Sequence, residues 1–587
     1  MADRTAADLV VERLRAWRVP RVFGCPGAAL APLVAALDRA GGDPAFVPAR
    51  HEEAASFMAT GHAKFTGGIG VCLATQGPSA VQLLNGLYDA KLDSKPVVAI
   101  VGEDVSGPLG DAHQEIGLTR LFADVCNQFV RYARGPGQVP ALLDQAFRTA
   151  AATRSPVCVV LPRQVQEAAV PDLRTYAAGG VITATPGEPL ARVLPHEPDL
   201  AAAAELLGSG RRVAILVGQG ARDAVDEVVA LADRLGAGVA CSLLGKPVVD
   251  ERLPYHAGVL GEAGTRAAAE LMGGCDTLLL VGTNDPWTGY LPMPGQVRTV
   301  QIDIDGRRVG SRYPVDVPLV GDAAETLRAL LARVPDRPSP QWRATVENSV
   351  DRWRRELVDR AAAPAEPVNP QLVLQELSPR LPRTTAVAVD VGSVVYWYAR
   401  HLELPPGVNA QLCGTLGAMG CALPYAVAAK LAAPDQPVVA LLGDGAMQLN
   451  GLAELITVAH HWTRWQDPRL VVLVLNNRDQ SGLAAGRESA GDPAQRRPDV
   501  PYAGWARLLG LHGVRVDRPE LVGAAWDEAL AADRPCVVEA VVDAAVPLAP
   551  PEPALADLRG LFADGDAAHR LREQVDRQLS VAADDIV

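Results

Sequence analysis

The chain has 587 residues, and 68 acidic against 55 basic side chains leave a formal net charge of −13, which offers no basic footprint for nucleic acid or an anionic membrane. No run reaches the roughly 18 apolar residues of a membrane span. The nine cysteines stand singly, without a CxxC pair or the histidine spacing of a zinc site, and read as buried thiols of a reducing cytoplasm.

In chain order, MADRTAADLVVERLRAW reads as an amphipathic helix without the apolar region of a signal peptide. GVCLAT and PVVAIVG are strands around the helical SAVQLLNGLYDAKLD. RRVAILVG, TLLLVG and TVQIDID are strands of a second unit, and TTAVAVD, PVVALLG, RLVVLVLNN and PCVVEAVV of a third. Short, nearly continuous Val/Ile/Leu runs separated by helices are the pattern of parallel sheets covered on both faces. Pro/Gly-rich passages at 177–199, 333–342 and 361–370 punctuate the sequence. The expected fold is therefore α/β: three consecutive doubly wound parallel-sheet domains over 1–180, 190–335 and 366–550. A tail over 551–587 begins Pro-rich and continues as a charged amphipathic helix, too acidic for an anionic bilayer.

The chemistry centres on VVALLGDGAMQLNG. An apolar strand stops at Asp444, flanked by Gly443 and Gly445, which remove side-chain bulk where a ligand could approach. The next strand ends in Asn476 and Asn477, so a right-handed crossover brings Asp444 and Asn477 to one rim of the sheet. A carboxylate, an amide oxygen and a main-chain carbonyl form a hard-oxygen site suited to Mg²⁺, which keeps places for phosphate oxygens and water. The helix opening after Gly445 offers free N–H groups to the same phosphates. A tight turn with a capping Asp explains GDG alone; GDG on one strand end and NN on the next is more specific.

GDGAMQLNGLAELITVAHHWTRWQDPRLVVLVLNN resembles the signature of thiamine-diphosphate enzymes, in particular the pyruvate oxidase and acetolactate synthase group. VFGCPGAAL, RHEEAASFMATGHAKFTGGIGVCLATQGPSAVQLLNGLYDAKLDSKPVVAIVG, VQIDID, VDVGS and GTLGAMGCALP stand in the order that group uses. The resemblance implies a first domain that binds the aminopyrimidine, a central nucleotide-binding-like domain and a third domain that binds the diphosphate. It implies Mg²⁺ held by Asp444, Asn477 and the carbonyl of Asp479. Cofactor contacts fall on Pro26 and Gly27, on Pro78 and Asn85, on Gly392, Ser393 and Val394, and on Gly417 with Met419, which occupies the wedge position. Others fall on Gly443, Asp444, Gly445 and Ala446, and on Asn477, Asp479, Gly482 and Leu483.

The same resemblance makes Glu52 of RHEEAA the catalytic acid, in preference to Glu53, and Gln114 of DAHQEIG an active-site glutamine. A carboxylate at the pyrimidine ring promotes loss of the thiazolium proton. The implied activity is decarboxylation of a 2-keto acid such as pyruvate. The enamine then goes to an acceptor, by carboligation of the acetolactate synthase type or by oxidation of the pyruvate oxidase type. The alternative is a non-catalytic relative acting as a binding or regulatory subunit. A homodimer or homotetramer is implied, with active sites between the first domain of one chain and the third domain of another.

Three features depart from the group. Ser79 and Ser94 stand where relatives commonly carry Gly and His, and QSGLAAGRES after NNRD is small where oxidase-like members have a bulky aromatic, which suggests a larger donor or acceptor. LVGQGARD has two glycines of a dinucleotide turn, but Asp223 takes the third glycine position and no acidic ribose partner follows GVACSL, so NAD is not indicated. FAD is left open, because GQGAR, GTNDPW and QIDID match its site in the group while the Arg-Phe-Asp-Asp motif of the synthases is missing.

Overall fold

The computed structural model describes residues 4–104, 113–170, 192–284, 288–336, 338–478, 498–546 and 548. The expected positions Asp479, Gly482 and Leu483, the small segment 480–489 and the tail 551–587 lie outside them.

The described residues form three six-stranded sheets in which every strand pair is parallel. The first contains β1 (Arg21–Gly24), β2 (Ala45–Pro48), β3 (Gly70–Thr75), β4 (Val97–Glu103), β5 (Val130–Tyr132) and β6 (Pro156–Pro162), in the order β2-β1-β3-β4-β6-β5. The second contains β7 (Val213–Val217), β8 (Gly238–Cys241), β9 (His256–Val259), β10 (Thr277–Val281), β11 (Arg298–Asp303) and β12 (Val317–Val320), in the order β12-β11-β10-β7-β8-β9. The third contains β13 (Ala386–Val389), β14 (Asn409–Leu412), β15 (Val438–Gly443), β16 (Leu470–Asn476), β17 (His512–Val516) and β18 (Cys536–Val541), in the order β14-β13-β15-β16-β18-β17. The central strands are buried from end to end, as continuous Val/Leu runs require when helices cover both faces.

Strand order fixes where ligands can sit. In each sheet the chain first winds one way and then returns to the other side of the starting strand, and the crevice opens between the two strands at that reversal. The reversals fall between β1 and β3, between β7 and β10, and between β13 and β15. The residues following those strands are the turns at 25–27 and 75–78, the glycine turns at 218–220 and 282, and the segments at 390–394 and 443–446.

The first and third sheets share one apolar layer. The helix Glu52–Thr66 lies against the helix Ala422–Ala432, and at Gly61 a Cβ would stand 2.8 Å from Tyr425 Cδ1 and 3.0 Å from its Cα. Only glycine allows that approach. Lys64, three residues further, is fully buried and donates to Asp89 Oδ1 (2.8 Å), Asp93 Oδ2 (2.8 Å) and the Leu412 carbonyl (2.7 Å). Burial opposes its charge, but the two carboxylates hold the ammonium protonated.

Between the Pro-rich passages at 333–342 and 361–370 the chain forms a helix, Pro340–Ala362. Its Trp342, Val346, Val350 and Trp353 pack into the core of the central sheet, and Trp342 Nε1 donates to the Val213 carbonyl at 2.9 Å. No helix among the described residues is long and apolar enough to cross a membrane.

Candidate active site

β15 and β16 are adjacent, and their register sets Gly443 beside Leu475. Asp444 and Asn477 therefore leave neighbouring strands on one rim. Asp444 is 5% exposed and its Oδ1 accepts the Gly445 N–H at 2.8 Å. The Tyr502 hydroxyl donates to the Asp444 carbonyl at 3.4 Å and accepts from Gln448 Nε2 at 2.7 Å, so the turn is braced from a later helix. Of the asparagine pair, Asn476 is committed inward, its Nδ2 donating to Glu539 Oε1 at 3.1 Å, while Asn477 is half-buried at the rim. Gly445 and Ala446 are buried in the helical turn that Asp444 opens, and a π-helical turn over Met447–Gly451 follows.

The opposing wall comes from β13. Gly392 has φ +120° and caps the helix Ser393–His401, in which Val394 is fully buried in the third domain's core. Any contact of Val394 with a ligand would be made by its backbone. Asp390 is fully buried and its carboxylate accepts the N–H groups of Val391, Gly420 and Ala422, each at 2.8 Å. Burial lifts its pKa to about 6 against those donors. Asn450 Nδ2 donates to the Gly420 carbonyl at 3.2 Å, so the loop carrying Gly417 and Met419 is tied to both walls. Met419 is half-buried against the shared core, and added Cβ atoms at Gly417 and Gly443 would meet nothing within 4 Å. The space at Gly443, beside the Asp444 carboxylate and on the rim that carries Asn477, fits a diphosphate with its cation. Among the described residues no group of three or more His, Cys, Asp or Glu could hold a metal.

In the first domain the turn after β1 presents Cys25, Pro26 and Gly27. Burial and then the carboxylates of Glu52 and Glu454 push the Cys25 thiol up to about 12, which places both acids near this turn. Glu52 is half-buried at the start of its helix and makes no hydrogen bond or ion pair among the described residues. Glu53 instead accepts from Asn85 Nδ2. Of the two adjacent acids, Glu52 is thus the one without a partner there. Pro78 is exposed after β3, and Gln114 is exposed with its Cβ over Gly77.

Two residues of the site were not singled out from the sequence. Asp390 lies inside the quoted VDVGS, where an Asp ending an apolar strand before a glycine was the available signal. Glu454, fully buried in the helix Leu452–His461, accepts the Arg50 N–H through Oε1 at 2.7 Å and the Thr457 hydroxyl through Oε2 at 2.7 Å. A Glu followed three positions on by Thr carries no sequence signal for a bond to the first domain.

The central rim gives a different result. A Cβ at Gly218 would stand 2.3 Å from the Gly282 carbonyl oxygen, and one at Gly220 would stand 2.9 Å from Gly282 Cα. The glycines are used by two loops packing on each other. Gln219 donates to the Asp93 carbonyl (3.1 Å) and Arg222 to the Lys64 carbonyl (3.3 Å) of the first domain. The glycines at 218 and 220 are thus accounted for by loop packing.

Residues 4–119 match the thiamine pyrophosphate enzyme N-terminal TPP binding domain, 200–330 the central domain, and 390–540 the C-terminal TPP binding domain. The chain is 32% identical over 551 residues to the putative thiamine pyrophosphate-containing protein YdaP of Bacillus subtilis, with 93% of each chain covered. It is 33% identical to the large subunit of acetolactate synthase isozyme 2 of Escherichia coli, covering 93% of this chain and 97% of that one. To the pyruvate oxidase of Lactiplantibacillus plantarum it is 30% identical, covering 92% and 89%.

Proposed function

Because the chain belongs to the thiamine pyrophosphate enzyme family, we propose that it decarboxylates a 2-keto acid such as pyruvate, using thiamine diphosphate and Mg²⁺, and passes the remaining carbons to an acceptor carbonyl. Bound thiamine diphosphate supplies the electron sink for loss of CO₂. The protein's part is to hold, orient and exchange protons. Asp444 and Asn477, with the carbonyl of Asp479, would hold Mg²⁺, and the positive end of the turn that Asp444 opens would favour the diphosphate. Gly417 leaves room for the cofactor and Met419 is the wedge. Glu52 shares a proton with the pyrimidine ring nitrogen. Gln114, whose Cβ lies over Gly77, would meet the substrate.

The observation that carries this reading is the pairing of β15 with β16, which puts Asp444 and Asn477 on one rim, with open space at the adjoining Gly443. The retention of Glu52, Asp444 and Asn477 favours catalysis over a non-catalytic binding role. Exposed apolar residues on helices next to the site, Leu449 and Ile456 beyond Asp444 and Leu508 on the Tyr502 helix, support a homodimer or homotetramer with sites between subunits.

Glu52→Gln tests the assignment. With thiamine diphosphate and Mg²⁺ added, CO₂ release from pyruvate should fall at least about 100-fold while the thermal midpoint holds; an active, folded variant would sink it. Oxidation by a flavin is the second reading, favoured by the likeness to pyruvate oxidase. Flavin bands that bleach on anaerobic addition of pyruvate would establish it, and a colourless protein that releases CO₂ would favour carboligation.

A further inference from the structure

Gln76 stands between Thr75, the last residue of β3, and the glycine turn that leads to Pro78, and it is 8% exposed. Its side-chain amide is used at both ends. Oε1 accepts the N–H of Asp104, just past β4, at 2.5 Å, and Nε2 donates to the carbonyl of His113 at 3.1 Å. One side chain thus joins the end of β4 to the residue that precedes Gln114.

Gln114 has φ +60°, a left-handed conformation that a non-glycine residue keeps only where its surroundings dictate it. Gly77 shows what dictates it from below. With φ +71° and no Cβ, Gly77 leaves the space in which Gln114 lies, and a Cβ there would stand 2.7 Å from Gln114 Cβ and 3.1 Å from Cγ. Ser79 completes the support, its Oγ accepting the Thr75 N–H at 3.1 Å across the same turn.

We propose that Gln76 is a positioning residue for the reaction, which ties the carbonyl of the peptide entering Gln114 to the end of β4 and so aims the Gln114 amide over the Gly77–Pro78 turn. The inference rests on the reading of Gln114 as an active-site residue. Gln76 touches no reacting atom. A glutamate at this position could still accept from Asp104 but could not donate to the His113 carbonyl, whereas methionine would lose both bonds at similar volume.

The test is a double-mutant cycle on the full chain, loaded with thiamine diphosphate and Mg²⁺, with CO₂ release from pyruvate as the rate and the thermal midpoint measured alongside. Gln76→Glu and Gln76→Met should each lower kcat on the order of ten-fold, and the same changes made on Gln114→Ala should lower it less than about two-fold. Equal losses in both backgrounds would overturn the proposal and leave the role of Gln114 standing. Gln76 variants as active as the parent would also overturn it. A fully active Gln114→Ala would overturn the reading and the proposal together. Should Gln76→Met fail to fold, Gln76→Glu, which keeps the Asp104 bond, carries the test.

Discussion

The Glu454 carboxylate of the third domain accepts the backbone N–H of Arg50 at 2.7 Å, two residues before Glu52 in the first domain. Arg50 adds a second bond from Nε to Thr457 Oγ1 at 3.3 Å, and Thr457 in turn donates to Glu454. The helix Leu452–His461 follows Asp444 after one π-helical turn. The segment that begins at the expected metal ligand therefore ends on the turn that carries the expected acid.

Glu454→Ala leaves the part-buried Arg50 N–H without its acceptor, at a cost of about 1 kcal/mol. It also frees the start of the Glu52 helix, so kcat should drop about 10- to 100-fold. Glu454→Gln retains an oxygen for Arg50 and should lose much less. Urea unfolding and CO₂ release measured on both variants check this; equal rates for the two would refute the tether.

Asp390→Asn replaces a three-fold acceptor by a group with one oxygen and two N–H donors. Val391 and Gly420 already share Oδ1 while Ala422 uses Oδ2, so the amide NH₂ must face at least one of these N–H groups. The loop of Gly417 and Met419 should loosen, and the affinity for thiamine diphosphate measured by calorimetry should fall on the order of ten-fold. Unchanged affinity would separate Asp390 from the cofactor site.

Lys64→Met removes the cation that bonds both Asp89 and Asp93 where all three are fully buried. Leaving two buried carboxylates without it should cost about 3–5 kcal/mol, read as a shift in the denaturant midpoint. Asp93 would still accept from the N–H groups of Gly414 and Thr415, at 3.3 and 3.2 Å, while Asp89 would keep only the Tyr425 hydroxyl, so the larger cost should fall on Asp89. Adding Asp89→Asn to Lys64→Met should recover part of the loss, and no recovery would contradict this account.

His256 and His401 are buried, 3% and 6% exposed, in surroundings that include Lys246. Burial first, then Lys246 and Arg354 for His256 and Arg400, Arg360 and Lys246 for His401, hold each pKa down at about 3. The folded imidazoles stay neutral while unfolded ones take up a proton below about pH 6.5. Their contribution is present above that pH and lost as pH falls toward 3, at about 1.4 kcal/mol per pH unit for each histidine. Thermal midpoints of His401→Asn and His256→Gln should therefore decline less steeply between about pH 6.5 and 4 than those of the parent; parallel curves would rule this out.

The central strands were legible because burial on both faces demands a continuous apolar run, as in VVALLG and RLVVLVLNN. All six sheet edges, β2, β5, β9, β12, β14 and β17, are short, and most are only partly buried. AFVP, VRY and NAQL pair on one side alone and need no such run, so they carry no clear signal.

Read alone, the sequence carries the features that depend on neighbours along the chain: the strand-end GDG and NN motifs, the expected acid after His51, and the glycines at 417 and 443. Local spacing sets these, because a strand end and the turn after it are contiguous. Only the tertiary structure decided what braces them. Gln76 reaches Asp104 and His113, Asp390 gathers Gly420 and Ala422, and Glu454 crosses to Arg50, over separations that no periodicity encodes. Each is a buried polar group that must find its partner wherever the folded chain supplies one.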